Sequence, residues 1–175
     1  MNLHVIIVHF PVALLTLYSL LELIRFRIVR EFPAWFYIKG FLVVFGALGA
    51  FAAVQTGELI ESQFEGVRDV VEMHSLFGTI TMYGFGFIAL MYILAWIQKS
   101  GILIRLKEGT MKRKLQTVVA SAETVVESPF MFVLGVIGLV VVTITGALGG
   151  SIAFGSSIDP VAGFVVKLFH FKESI

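Results

Sequence analysis

No cysteine occurs anywhere in this 175-residue chain, which excludes disulfides, thiolate-held metals, iron–sulfur clusters and covalently attached c-type haem. Charge is scarce as well. Only 14% of residues are charged and 58% are hydrophobic, with a mean hydropathy of +0.95, and such a chain is not an ordinary water-soluble globule. An EF-hand pattern, a His-Glu-x-x-His run and a phosphate-binding loop are all missing. The net charge of +1 names no partner. The basic residues sit in connecting loops, where membrane topology explains them, so no nucleic-acid partner is expected.

What remains is an all-α integral membrane protein, a four-transmembrane-helix bundle read as a single domain over 1–175. The apolar runs at about 3–24, 36–56, 74–97 and 130–154 each reach roughly the 20 residues that a 30 Å hydrocarbon core requires. Pro11 interrupts the first. Residues 11–24 alone would span only about 21 Å, so Leu3 to Phe10 must share the membrane, with a bend where Pro11 releases the Ile7 carbonyl. A basic n-region and a small-residue cleavage site are both lacking, so the run is not read as a cleaved signal peptide.

Loop charges orient the bundle. Arg25, Arg27, Arg30 and Lys39 dominate the first connection, and Lys99, Arg105, Lys107, Lys112, Arg113 and Lys114 the third, whereas Glu58, Glu61, Glu65, Asp69 and Glu72 dominate the second. The positive-inside rule then places both basic loops in the cytoplasm and both termini outside. Three further segments read as interfacial: 57–73, 113–127 and 159–171. In the second of these, Leu115, Val118, Val119, Ala122, Val125 and Val126 share a helical face. In the third, Asp159-Pro160 is a helix start ahead of an apolar stripe of Val161, Phe164, Val165, Leu168 and Phe169, with His170 at its end.

The chain also reads as two copies of a helical hairpin. Each half has a histidine near the outer end of its first helix, His9 or His74, then a basic turn, then a small-residue helix running from Gly46 to Thr56-Gly57 or from Gly135 to Thr145-Gly146. A pseudo-twofold along the membrane normal would bring His9 and His74 to face each other. Gly49, Ala53 and Gly57, and likewise Gly146 and Gly150, form faces for close helix approach or for a flat ring, as does Gly78.

All four histidines (His4, His9, His74 and His170) fall on the outer side in this topology. An ionisable ring within hydrocarbon marks a site, a relay or a ligand. His9 lies about 9 Å in from Leu3, too deep to reach water easily. His9 and His74 are therefore the candidate axial ligands of a b-type haem near the outer face, with the propionates outward. His4 stands about 140° around the helix from His9 and is read as interfacial or as a propionate contact. Met73 and Met82 are alternative ligands or packing residues. The acidic loop reads as a solvated face able to dock a basic soluble cytochrome c. A quinone site among ordinary membrane aromatics such as Phe10, Tyr18 and Tyr83 stays open.

The opening His4-Val-Ile-Ile-Val-His9-Phe-Pro11-Val-Ala-Leu-Leu resembles the start of a bacterial family of predicted membrane proteins, domain-of-unknown-function family 2231. The stretch ending Thr56-Gly57, the third-helix His74 and Gly146-Ala-Leu-Gly-Gly150-Ser-Ile-Ala-Phe-Gly155 resemble it too. Val5 stands where that family has proline. The family is similar in outline to four-helix b-type cytochromes, which implies haem binding by His4, His9 and His74 and a place in the bacterial inner membrane.

The leading expectation is thus a haem b electron-transfer subunit of a larger respiratory or photosynthetic redox complex, an accessory subunit rather than a stand-alone enzyme. Two alternatives stand beside it: a cofactor-free anchoring subunit, and metal or proton handling by the outer-face histidines.

Overall fold

The computed structural model describes residues 3–24, 26, 29, 31–60, 67–105, 109–155 and 160–169. Among these every regular element is helical. α1 is Leu3–Leu23, α2 Trp35–Glu58, α3 Arg68–Ser100, α4 Thr110–Glu127, α5 Phe130–Phe154 and α6 Pro160–Leu168, with a short 3-10 turn at Ile102–Arg105. Four of them, α1, α2, α3 and α5, are long and apolar enough to cross a membrane. At most 33% of the most apolar window of any span is buried within the chain. The remaining faces carry side chains such as Leu17, Phe41, Phe51, Phe87 and Ile137, all exposed, and only lipid satisfies such a surface.

The four spans close into a ring in which α1 touches α2 and α5, and α3 touches the same two. α1 and α3 therefore face each other across the bundle. Their buried stripes have one spacing: Pro11, Leu15, Tyr18 and Glu22 on α1, and Thr81, Phe85, Ile88 and Tyr92 on α3. Each residue of the second set lies 70 positions after its counterpart. His4 extends the first stripe at the same interval at which His74 extends the second. α2 and α5 correspond at an interval of 92, which aligns Gly46 with Gly138, Lys39 with Met131 and Gly57 with Gly149. These intervals relate the two hairpins in a register different from the one expected from sequence. His4, not His9, is the counterpart of His74, and the second-half match to Thr56-Gly57 is Leu148-Gly149 rather than Thr145-Gly146.

Pro11 lies on the buried face of a helix that runs unbroken past it, seated against the backbone of Gly49. The tight glycines of α5 are Gly135, Gly138 and Gly149, where an added Cβ would stand 2.7–2.9 Å from Glu22, Phe85 or His74. Gly146 and Gly150, expected to be the close-approach pair, are not tight: a Cβ on Gly146 would meet only Val12, at 4.0 Å, and one on Gly150 would meet nothing within 4 Å.

α3 begins at Arg68, six residues before the expected start, and its 33 residues run about 50 Å. The extra turns are held by packing: Val70 and Met73 join Ala147, Leu148, Ala162 and Val165 in a small apolar cluster under α6, while Met82 packs on the main core. An Arg68–Glu72 pair at 2.9 Å closes the exposed side. Both amphipathic helices dock on protein through part of their stripes. α4 buries Val119, Ala122 and Val126 while Leu115, Val118 and Val125 stay outward. α6 buries Ala162, Val165 and Val166, so of its expected apolar stripe Val165 is turned to the protein while Val161, Phe164 and Leu168 are exposed. Small and β-branched residues allow the closer helix approach, which decides which face docks. Glu61, Glu65, Asp159 and His170 lie outside the described residues.

Candidate functional site

Residues 4, 11, 15, 18 and 22 fall within about 60° of one another at 100° per residue, so the face of α1 that buries Pro11 and Leu15 also turns His4 inward. His9, about 140° away, is exposed on the outside of the bundle, its Nδ1 against the Val5 carbonyl one turn back. The expected His9–His74 pair is therefore not the one brought together. The facing rings are His4 and His74, with centroids 6.4 Å apart and planes at 86°.

Each ring is anchored by the second helix of its own half. His74 donates from Nδ1 to the Thr145 carbonyl at 3.0 Å. His4 Nδ1 lies 3.1 Å from the Thr56 hydroxyl. The same hydroxyl oxygen lies 2.9 and 3.1 Å from the Ala52 and Ala53 carbonyls, so ring, hydroxyl and backbone form one hydrogen-bonded cluster. With its proton on Nδ1, the neutral His74 ring has its lone pair on Nε2, the tautomer of a ligating histidine. Glycine makes the seats: a Cβ on Gly57 would stand 3.1 Å from His4 Cε1, and one on Gly149 would stand 2.9 Å from His74 Cε1. Thr81 and Thr145, 3.1 Å apart through their hydroxyls, continue the polar patch one layer deeper.

A second polar site lies at the other end of the same stripes, 18 residues or about 27 Å along α3, beyond a layer of Leu15, Phe85 and Val142. There Lys39 Nζ reaches both oxygens of Glu22 at 2.9 Å, and the Tyr92 hydroxyl donates to Glu22 Oε1 at 2.6 Å. Glu22 and Lys39 are 5% and 8% exposed. Lys39 stands over the rings of Trp35 and Tyr92. The Tyr18 hydroxyl is buried beside them, short of hydrogen-bonding geometry. Lys99 completes this end, bonded to Glu123 and Glu127 at 2.8 and 2.7 Å.

Sequence reasoning missed Glu22 and counted Lys39 only as a loop cation. The available signal was the interval from His4 through Pro11, Leu15 and Tyr18 to Glu22, which puts a carboxylate on the inner face. An ionisable residue there needs a partner. No group of three or more histidine, aspartate or glutamate side chains with metal-holding geometry occurs among the described residues.

With four apolar spans around these two polar ends, the chain is a multi-helix membrane protein. It belongs to the family of predicted membrane proteins DUF2231, which it matches over residues 1–160. No curated protein and no solved structure matches it.

Proposed function

We propose that this protein is a haem b-binding electron-transfer subunit of the bacterial cytoplasmic membrane, with His4 and His74 as the two axial ligands. The supporting observation is the pair itself. A metal–imidazole nitrogen bond is about 2.0–2.1 Å and the ring centre lies roughly 1.1 Å beyond, so two imidazoles on opposite faces of one ion have centres about 6 Å apart. The 6.4 Å between the His4 and His74 ring centres fits, and so does the His74 tautomer, whose Nδ1–H is held by the Thr145 carbonyl. Donor number favours a porphyrin iron over a bare ion. The macrocycle fills four positions and asks two of the protein, whereas zinc takes three or four protein ligands.

When bound, haem supplies one-electron chemistry. The chain's own residues would hold and tune it: Thr56 and Thr145 fix the ring orientations, Gly57 and Gly149 seat the rings, and Phe169, just past α6, packs on Phe77 of α3 with ring centroids 5.8 Å apart. By the positive-inside rule this end faces outward. A haem on one side does not carry electrons across the membrane alone, so the reading includes partner subunits of a redox complex and a soluble cytochrome c docking near the acidic Asp69 and Glu72.

The test is a reduced-minus-oxidised visible spectrum of the detergent-purified chain, expressed with ample haem, with extraction of the porphyrin. About one b-type haem per chain is expected, lost in both His4→Ala and His74→Ala. A colourless protein overturns the reading.

A further inference from the structure

The buried Glu22–Lys39 pair forms part of the wall of a cleft of about 750 Å³, within the range of about 300–1,000 Å³ typical of small-molecule sites. Trp35 and Phe36 line it as aromatic surfaces, and Glu31, Lys99 and Glu127 add charge. On the outer surface between α2 and α3 runs an apolar groove of about 120 Å³, lined by aromatic side chains including Tyr37, Phe41 and Trp96. Phe36 lines both spaces. Tyr92 lines the groove with its ring and reaches Glu22 with its hydroxyl.

We propose that this polar cleft and the adjoining apolar groove together bind one amphiphile, an isoprenoid quinone, with its head beside Glu22, Lys39 and Trp35 and its tail along the groove. Three features select that chemistry. Among the described lining residues the charges are already balanced: Lys39 is committed to Glu22 and Lys99 to Glu123 and Glu127, and the lining carboxylates outnumber the lysines. An anionic phosphate head is thereby disfavoured and a neutral head with carbonyl or hydroxyl oxygens is suited. The aromatic walls accept a flat ring. Glu22 has acceptor capacity left after three hydrogen bonds, and the Lys39 ammonium has a third hydrogen, so the two flank a head group that both donates and accepts. The site lies about 27 Å from the histidine pair and does not depend on haem being bound there.

The test uses the full chain in phosphatidylcholine nanodiscs. In a Trp96→Phe background Trp35 is the only tryptophan, and its fluorescence reports the cleft. Titration with a short-tailed benzoquinone should give saturable quenching, weakened about tenfold by Tyr92→Phe and by Glu22→Gln. Phe41→Ala, at an exposed position on the groove, should weaken a long-tailed quinone more than a short-tailed one. Mass spectrometry of an organic extract of the purified protein should recover isoprenoid quinone. Quenching that does not saturate and is equal in all variants overturns the proposal, as does recovery of tightly held phospholipid in place of quinone. Repeating the titration in His74→Ala separates this result from the haem reading: the quinone response should persist when the histidine pair is gone.

Discussion

At both ends of the bundle, residues 70 positions apart meet across the axis between α1 and α3, yet the two meetings differ in kind. His4 and His74 are the same residue, seated on corresponding glycines, Gly57 and Gly149. Glu22 and Tyr92 are not the same, and Lys39, which completes that end, has Met131 as its counterpart. A symmetric pair of donors suits one ion on the axis. The asymmetric end has become an internally neutralised cluster in which carboxylate, ammonium and phenol satisfy one another. The shared interval fixes where polar groups meet, and the residue types at each meeting decide what it can do.

Energetics separates the ends as well. A buried ion pair is not in itself a large source of stability, but removing one partner strands the other charge. Glu22→Ala should therefore destabilise the fold by about 3–5 kcal/mol, read as a large drop in thermal midpoint in detergent, while Glu22→Leu combined with Lys39→Met should recover most of the loss. Next in size is Gly149→Leu, which forces His74 from its seat and should cost about 1–3 kcal/mol through overpacking together with any haem spectrum. Tyr92→Phe removes one hydrogen bond to a charged group and should cost about 1.5–3 kcal/mol if Glu22 finds no replacement, less if water enters. His9→Ala should change stability by less than about 0.5 kcal/mol, because the ring faces outward and bonds only its own helix. If His9→Ala proves as costly as Glu22→Ala, the contrast between inner and outer faces of α1 is wrong.

Much of the architecture was legible in the sequence. Four long apolar runs fix four spans whatever the packing, and His74 stands out because ionisable residues are rare in such runs. The partner of His74 was harder to read. Depth along the helix favoured His9, yet rotation about the helix decides which ring enters the core, and Pro11 packing on Gly49 sets that rotation. The repeat was visible through its glycines, but Thr-Gly pairs gave a register three residues off on the second helix of each half, because Thr145 serves His74 through its carbonyl and not through the position that matches Thr56. α4 and α6 carried readable stripes. Which part of each stripe would dock on protein depended on small side chains whose value appears only once a neighbour is present.

The most direct test of the central claim is the reduced-minus-oxidised spectrum of His4→Ala set beside that of His9→Ala, both purified from haem-replete cells and normalised to protein. The account predicts that His4→Ala, like His74→Ala, loses the b-type absorbance and that His9→Ala keeps it in full. Retention in His4→Ala with loss in His9→Ala would contradict the assignment of the inner face of α1 as the ligand-bearing one.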